Sequence, residues 1–400
     1  MNILFVCHRF PYPPNRGGKI RPFHMIKHLS DKHRVVVATL AETHQELEQG
    51  SEIRQYCAEV IAEVVPPSLR WVQAFGALPT RTPSSAAYFW SPRLFQRIRE
   101  VSESIKFDMV LVHCAFVAPY VSELPGCFKV LDFGDIDSMK WTDYATWRAF
   151  PLNLGYALEA KKLRSFEQEM AKRFDHCLVT TTGEWKEYDN LKVPTPCGVI
   201  PNGVDTSYFS MKNGNEPIAR DATIVFLGRM DYFPNVDGAL FFAEEVFPII
   251  QKELPHAQFL VVGADPAKSI RKLGELPNVT VTGTVPDVRP FLRNATLTVA
   301  PLRIARGTQN KILESIAMGL PVVATPQAAR GIQAKEDEHL FVSATPEDFA
   351  HRVIQLLKNP SLRVRLANAA KKQIQKTHSW DSSMKSLDKL IETKKLDTSF

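Results

Sequence analysis

The sequence predicts an α/β protein built from two doubly wound domains. Short apolar runs alternate with helical patterns along the whole chain of 400 residues. Strands that are apolar almost without interruption are typical of a parallel sheet covered on both faces. The alternation begins again at Ala222, and this length is ample for two hydrophobic cores.

The first half opens with the strand Asn2 to Cys7, a loop, and a helix from Ile20 to Leu29. This order is typical of the phosphate-binding turn of doubly wound sheets, although neither a dinucleotide fingerprint nor a P-loop is present. Further strands are predicted at Arg34 to Leu40, Glu59 to Val65, Asp108 to Val112, Lys129 to Phe133, His176 to Thr181 and Val199 to Ile200.

The second half repeats the pattern with a helix from Asp237 to Lys252 and another from Pro346 to Leu357. Its strands are predicted at Ala222 to Leu227, Gln258 to Gly263, Val279 to Thr282, Thr296 to Ala300 and Pro321 to Ala324. Turn residues at Asn202-Gly203 and Asn213-Gly214-Asn215 mark the boundary. We therefore expect an N-terminal domain over 1–205, a C-terminal domain over 206–378 and a terminal helical segment over 379–400.

Composition limits the partners and the compartment. The formal net charge of +6 favours anionic ligands or an anionic membrane surface, but it is too small to indicate nucleic acid binding. No apolar run approaches the roughly 18 residues of a membrane-spanning helix. The six cysteines show neither C-x-x-C nor zinc spacing, so we expect no metal, free thiols and a reducing, cytoplasmic compartment.

The segment from Arg303 to Thr325 contains the most informative pattern. A helix is predicted from Gln309 to Met318, a stop at Gly319, and then the strand to Ala324. Helical spacing places one apolar stripe toward the core, formed by Ile312, Leu313, Ile316 and Ala317. The same spacing places Lys311, Glu314 and Met318 on the opposite face.

The start of this helix is suited to a nucleotide diphosphate. Gly307 and Thr308 lead into it, and a helix N-terminus with free N–H groups attracts phosphate. The carboxylate of Glu314, further along, can accept hydrogen bonds from two sugar hydroxyls. The alternative is a surface helix on which Lys311 and Glu314 form an ion pair.

The same segment resembles the donor-site motif of retaining glycosyltransferases of family 4. Their pattern is E-x7-E followed by A-x-G-x-P-V-V-A, and Glu314 matches the second Glu, while Arg306 replaces the first. The variant R-G-x-Q-N-K-x-L-E is similar to an exosortase/PEP-CTERM-associated subgroup. Further landmarks of that subgroup are HRFPYPPNRGGKIRPFH, DFGDIDSMKW, PNGVD, GRMDYFPNVDGALFF and TGTVPDVRPFL.

The resemblance implies the GT-B fold, in which two Rossmann-like domains face a cleft and the last helix crosses back to the first domain. It also implies a nucleotide diphosphate-sugar donor and no other cofactor. The family's donor-binding roles pass to Arg229 and Glu314. Arg306, Gly307 and Thr308, at the start of the predicted helix, complete the expected donor site. Because Pro234-Asn235 replaces a Lys that assists Arg229 in the family, we expect Lys311 to supply that charge.

Three features of the first half are candidates for the remaining chemistry. Gly17 and Gly18 let the backbone approach the donor phosphates, or form a plain turn. His113, at a strand end, is either catalytic or structural. Asp135 and Asp137 form a D-x-D pattern for which three roles stay open: facing the acceptor hydroxyl, capping the next helix, or, less in keeping with this fold, binding a metal.

An aromatic and basic region lies between Arg70 and Arg99 and contains Trp71, Phe75, Tyr88, Phe89, Trp90, Arg81, Arg93 and Arg97. One interpretation is an amphipathic patch that meets the inner face of the membrane and receives a lipid-linked acceptor. The other is that the aromatic rings belong to the core and the arginines to the solvent.

The predicted function is transfer of a sugar from a nucleotide diphosphate-sugar to a glycan or lipid-linked acceptor, with retention, in exopolysaccharide biosynthesis. Two alternatives stay open. One is a UDP-sugar epimerase of the same fold. The other is a non-catalytic nucleotide-sugar-binding partner, which the replacement of the first Glu by Arg306 allows.

Overall fold

The chain divides into two compact units, residues 1–200 and 201–400. The structure is a computed structural model that describes residues 1–210 and 222–397, with side chains up to Thr393. The turn expected at Asn213-Gly214-Asn215 lies outside the described residues.

The first unit is built on a seven-stranded sheet in the order β3-β2-β1-β4-β5-β6-β7, with all pairs parallel. Its strands are β1 Asn2–Cys7, β2 Arg34–Ala41, β3 Glu59–Val64, β4 Met109–His113, β5 Phe128–Gly134, β6 His176–Val179 and β7 Cys197–Val199. Its helices are α1 Gly17–Ser30, α2 His44–Gln49, α3 Pro67–Gly76, α4 Ser84–Tyr88, α5 Pro92–Ser104, α6 Asp137–Trp147, α7 Leu152–Ala171 and α8 Thr182–Asp189.

The second unit has a six-stranded parallel sheet in the order β10-β9-β8-β11-β12-β13. Its strands are β8 Thr223–Leu227, β9 Gln258–Val262, β10 Val279–Val281, β11 Leu297–Ala300, β12 Val322–Ala324 and β13 Phe341–Val342. Its helices are α9 Phe233–Phe241, α10 Phe247–Glu253, α11 Lys268–Leu273, α12 Arg289–Arg293, α13 Asn310–Ala317, α14 Pro326–Ala329, α15 Pro346–Lys358, α16 Pro360–Thr377 and α17 Trp380–Asp397.

The prediction of two doubly wound parallel sheets is confirmed. Three details were wrong. The first helix begins at Gly17 rather than Ile20. The helix predicted from Asp237 to Lys252 is interrupted by a π-helical turn over Phe242–Val246, and Pro248 is in the first turn of α10. The sequence analysis also missed β13, which is only two residues long and carries no period-2 pattern.

The PNGVD motif has a packing role. The backbone N–H of Val204 donates to the carbonyl oxygen of His378, just before α17 begins. A Cβ at Gly203 would lie 2.6 Å from the backbone nitrogen of Trp380, so only glycine fits. The motif thus fixes the start of the last helix against the segment that opens the second unit.

Among the described helices, none has both the length and the apolar character needed to cross a bilayer.

Two glycines give a matched test of another close backbone approach, that between Gly263 and Gly228. A Cβ at Gly263 would lie 1.7 Å from the carbonyl oxygen of Gly228, whereas a Cβ at Gly155, within α7, has no neighbour within 4 Å. We expect Gly155→Ala to raise the melting temperature, because alanine is favoured over glycine in a helix by about 1 kcal/mol. Gly263→Ala should lower it. Equal shifts in thermal unfolding for the two variants would contradict the close approach.

Candidate functional site

Helix α13 lies with its predicted apolar stripe in the core. Ile312, Leu313, Ile316 and Ala317 are all buried, and Gly319 ends the helix with a φ of +77°. The placement of Met318 on the outer face was wrong. It is buried in a second cluster with Val225 and Leu320, because layers pack on both faces of this sheet.

The side chain of Lys311 is half-buried, and its ammonium group lies against the core of the second unit. Its Nζ donates to Oδ1 of Asn235 over 2.6 Å and lies 4.5 Å from the centroid of the Phe226 ring. Burial lowers the pKa of Lys311 to about 7, although the charge of Glu314 opposes that shift. The prediction that this side chain faces away from the core was therefore wrong.

Glu314 lies one turn along α13 from Lys311. Burial raises the pKa of its carboxyl to about 7 against the opposing charge of Lys311. Within the part of the chain that the structure describes, its carboxylate accepts no hydrogen bond and has no cation within 4 Å, so the surface ion pair is not formed. The segment therefore carries a carboxylate and an ammonium, each close to its titration point at neutral pH.

Asn235 joins Lys311 to the segment of Arg229. Its Nδ2 donates to the carbonyl oxygen of Arg229 over 2.8 Å, while its Oδ1 accepts from Lys311. Asn235 occupies the position where the family motif has Lys, and the sequence analysis treated it as a vacancy. The signal in the sequence was a polar amide among the mainly apolar residues at the start of that helix.

The guanidinium group of Arg229 is partly exposed and forms ion pairs with Asp231 and Asp265, both at 2.7 Å. A diphosphate would compete with two carboxylates for this cation.

The loop before α13 is shaped by close backbone packing. Gly307 has a φ of +61°, and its carbonyl oxygen would lie 2.0 Å from a Cβ at Gly331. The hydroxyl of Thr308 donates to the carbonyl oxygen of Gly331 over 3.4 Å, and the Gln309 side chain donates to that of Arg306 over 2.9 Å. No side chain caps α13, so its first N–H groups are not occupied by a cap.

In the first unit, a buried network surrounds His113. Nδ1 of His113 is 2.7 Å from Oδ2 of Asp132, and Arg21 donates to both oxygens of that carboxylate over 2.8 Å. Although burial opposes ionisation, Arg21 and the His113 hydrogen bond hold the pKa of Asp132 well below its usual range. The sequence analysis missed Arg21 and Asp132. The signal was an acid inside an otherwise apolar strand.

Gly18 lies beside this network. A Cβ there would be 3.5 Å from Nε2 of His8, and the His8 and His113 rings lie 5.7 Å apart. Gly17 opens α1 with no heavy atom near its Cβ position. Both glycines therefore belong to the first turn of a helix, not to a plain turn.

Asp135 and Asp137 follow β5 but have separate partners. Oδ1 of Asp135 accepts from the Thr180 hydroxyl over 2.8 Å, whereas Asp137 is the first residue of α6, 4.0 Å from Lys140. Capping by Asp137 was wrong, since Ile136 is the N-cap and no side chain caps the helix. The described residues contain no group of three His, Cys, Asp or Glu side chains suited to a metal ion.

The aromatic and basic region is divided between the core and the surface. Arg70 is fully buried, donates to the carbonyl oxygens of Val65 and Ala41 over 2.8 and 2.7 Å, and contacts the Tyr88 and Phe89 rings. Its assignment to solvent was wrong. Trp71 and Phe75, on the outer face of α3, are more than half exposed.

The second unit is a glycosyltransferase domain, and the fold of the chain is GT-B. Residues 221–359 match the family model "Glycosyl transferases group 1". This match confirms the predicted enzyme class for the domain that contains Arg229, Lys311 and Glu314.

Two relatives in sequence agree. "Glycosyltransferase 1 domain-containing protein 1" of Xenopus tropicalis is 24% identical over 154 residues, which are 37% of this chain and 44% of that protein. The chain therefore spans less than half the length of that relative. A Klebsiella pneumoniae protein described as an "uncharacterized 44.6 kDa protein in cps region" is 21% identical over 375 residues, 90% of this chain and 92% of the relative.

Solved structures share the fold over the whole chain. Sucrose-phosphate synthase from Thermosynechococcus elongatus has a TM-score of 0.74 at 12% identity, with all of both chains covered. HepE from Anabaena, solved in complex with UDP and glucose, has a TM-score of 0.69 at 12% identity, covering 98% of this chain and 100% of the other. The GT-B prediction is thereby confirmed.

Glu167, buried beneath the β5–α6 junction, gives a pH-dependent prediction. Burial raises its pKa to about 8, with Asp137 adding to the effect and hydrogen bonds from Ser138 opposing it. The folded state therefore holds a proton that the unfolded state releases above about pH 4.5. The free energy of unfolding that this proton contributes is lost as pH rises through 8.

We expect Glu167→Gln, which cannot ionise, to gain stability over the wild type as pH rises from 5 to 9, by an amount on the order of a few kcal/mol. Melting temperatures across that range test this. Glu169→Gln, which removes an exposed carboxylate on the same helix, is the control. A constant difference between Glu167→Gln and the wild type would show that Glu167 is not held protonated.

Proposed function

We propose that this chain transfers a sugar from a UDP-sugar to a glycan or lipid-linked acceptor with retention of anomeric configuration. The second unit binds the donor, and the first unit binds the acceptor. The choice of UDP is supported by HepE, a protein of the same fold solved in complex with UDP-glucose. Membership of family 4 and of the exosortase-associated subgroup is part of the proposal and is supported by the motifs around Glu314.

The observation that carries the proposal is the half-buried ammonium of Lys311 near a carboxylate that accepts no hydrogen bond within the described residues. A diphosphate bound at the start of α13 would stabilise the charged form of Lys311, and Arg229 is tied to the same point through Asn235. Glu314, which forms neither a hydrogen bond nor a close ion pair among the described residues, is then available to accept the two ribose hydroxyls. Together these groups satisfy both charged ends of a nucleoside diphosphate.

The reaction we propose uses this arrangement. The bond between the anomeric carbon and the phosphate oxygen breaks, and a bond to the acceptor oxygen forms on the same face. The acceptor proton passes to the departing phosphate oxygen, so a strong protein base is not required. Fixed cations stabilise the charge that develops on the diphosphate. His113, Asp135 and Asp137 remain our acceptor-side catalytic candidates.

The setting we propose is exopolysaccharide biosynthesis at the cytoplasmic face of the membrane. Its support is the Klebsiella relative, whose description places it in a cps region, and the exposed aromatic rings of α3. The contact with the membrane would be peripheral.

A nucleotide-sugar screen tests the function. A ligand at about a hundred times its Kd adds roughly 2.7 kcal/mol to apparent stability, so UDP or a UDP-sugar should raise the melting temperature. The UDP-sugar that stabilises the protein is then incubated with enzyme alone. We expect slow release of UDP and the free sugar. Formation of an epimer would establish the epimerase instead, and binding with neither reaction would indicate a non-catalytic partner.

The titration of Lys311 predicts that UDP binding takes up a proton. At pH 8 the free side chain is mostly neutral, because its pKa is about 7. A nearby diphosphate would raise that pKa, so binding should take up between about 0.5 and 1 proton. Calorimetry in two buffers of different ionisation enthalpy measures it.

In Lys311→Met the proton uptake should disappear and the affinity for UDP should fall roughly ten- to a hundredfold, since a charge-assisted contact contributes about 1.5–3 kcal/mol. Lys272→Met, an exposed lysine of the same unit, should change neither quantity. Unaltered uptake in Lys311→Met would place the diphosphate elsewhere.

Glu314 is tested with the ribose. Glu314→Ala should lower kcat/KM by a factor that corresponds to about 2–4 kcal/mol of lost transition-state stabilisation. Glu314→Gln should lose less, since one amide oxygen still accepts. The melting temperature should not fall, because the carboxylate has no hydrogen-bond partner to lose among the described residues. With a donor that lacks both ribose hydroxyls, wild type and Glu314→Ala should turn over at similar rates. A loss that persists in full with that donor would refute the ribose contact.

A further inference from the structure

The corner between α6 and α7 exposes an unusual amount of apolar surface. Trp147, Phe150, Leu152, Leu154 and Leu158 are between 46% and 77% exposed. No Asp or Glu occurs from Tyr144 to Leu158. The next acid, Glu159, is buried and accepts hydrogen bonds from Ser84 and Ser85. An exposed apolar corner without negative charge suits a ligand that is both apolar and anionic.

An open groove of about 300 Å³ runs between the same two helices. It is lined by Ser138, Met139, Thr142 and Ala145 of α6 and by Ala157, Ala160, Lys161 and Arg164 of α7. The α6 lining runs from Ser138 to Ala145, or about 10 Å at the helical rise. One end reaches toward the apolar corner, and the other ends at Ser138, next to the candidate acceptor residue Asp137.

Two cations lie along this groove. Arg164 donates to the carbonyl oxygen of Asn190 over 2.6 Å, which holds its guanidinium group in place. Lys161 is exposed and pairs with no carboxylate among the described residues. The groove thus offers small and apolar side chains along its floor and positive charge at its edge.

Helix α3 extends the apolar surface. Nζ of Lys162 donates to the carbonyl oxygens of Ala77 and Leu78 over 3.1 and 2.8 Å, and so connects α7 to the end of α3. The exposed apolar residues of this second part are Leu69, Trp71, Val72, Phe75 and Leu78. No acid occurs between Val64 and Arg99 either, a stretch with four arginines besides the buried Arg70.

We propose that the α6–α7 groove binds an anionic amphiphile, a phosphate attached to a long hydrocarbon chain. The hydrocarbon chain lies on the apolar corner and α3, and the phosphate contacts Lys161 and Arg164. Whatever sugar the phosphate carries then points along the groove to the end of β5. This inference rests on the proposed function in one respect only, that Asp135 and Asp137 lie on the acceptor side.

We take the occupant to be an acceptor carried on a polyprenyl phosphate, because the groove ends at Ser138 beside Asp137. A phospholipid of the bilayer is the alternative that the test excludes. Co-flotation is measured with phosphatidylcholine vesicles that contain either polyprenyl phosphate or phosphatidylglycerol at matched charge. We expect stronger binding to polyprenyl phosphate, and binding that weakens with salt. Equal binding to the two kinds of vesicle would overturn the proposal.

Variants locate the site. Phe150→Ser should weaken vesicle binding about tenfold, and Lys161→Ala about fivefold. Their matched controls are Val364→Ser, an exposed apolar residue of α16, and Lys172→Ala, an exposed lysine just after α7. Both controls should bind as wild type does.

Absence of binding to either vesicle, or equal binding by all four variants, would overturn the proposal. So would a stable dimer of the wild type that Phe150→Ser dissociates, because the corner would then be an interface between copies. The UDP-induced rise in melting temperature is measured on every variant. If UDP does not raise the melting temperature of the wild type, the proposed function fails independently of the lipid site.

Discussion

A parallel sheet that is covered on both faces places most of its polar chemistry at the ends of its strands. In each unit the strands are mainly apolar, with the buried Asp132 of β5 as an exception, and the segments after their carboxyl ends carry charged side chains. In the first unit these are the loops after β1, β4 and β5, which bring His8, His113 and Asp135 to one edge. In the second they are the loops that follow β8 and β11, which bring Arg229 and Lys311 to one amide, that of Asn235.

Charged groups that are buried in such folds need hydrogen-bond or ion-pair partners, and the two units differ in how fully they supply them. Asp132 is fully enclosed and fully satisfied, since Arg21 and His113 supply all its close contacts. Removing one member would leave an uncompensated charge, which is strongly destabilising. Lys311 and Glu314 are half-buried and incompletely satisfied among the described residues, and burial moves their pKa values toward each other. The first arrangement is structural in character, and the second resembles a site that a ligand completes.

The α6–α7 hairpin extends from Asp137, an acceptor-side candidate, to the exposed apolar corner of the first unit. Its inner end is fixed by buried carboxylates, because Glu184 accepts from the N–H of Ile136 and Glu167 from Ser138. Its outer end exposes Phe150 and the neighbouring leucines. A rigid inner end and an apolar outer end suit an acceptor whose reactive group must be held while its hydrocarbon chain stays in a membrane.

The sequence by itself determined the fold class, nearly all strands and the apolar face of α13, because these depend on local pattern and period. It also pointed to Arg229, Lys311 and Glu314 through a motif. It did not determine what those side chains touch. Asn235 beneath Lys311, the carboxylates around Arg229 and the enclosed network of Asp132 all join residues far apart in the chain. Only tertiary packing brings such residues within hydrogen-bond distance, and packing alone decides how much water reaches a charge. For that reason the burial that moves the pKa values of Lys311 and Glu314 toward neutrality was decided by the structure and not by the spacing of the helix.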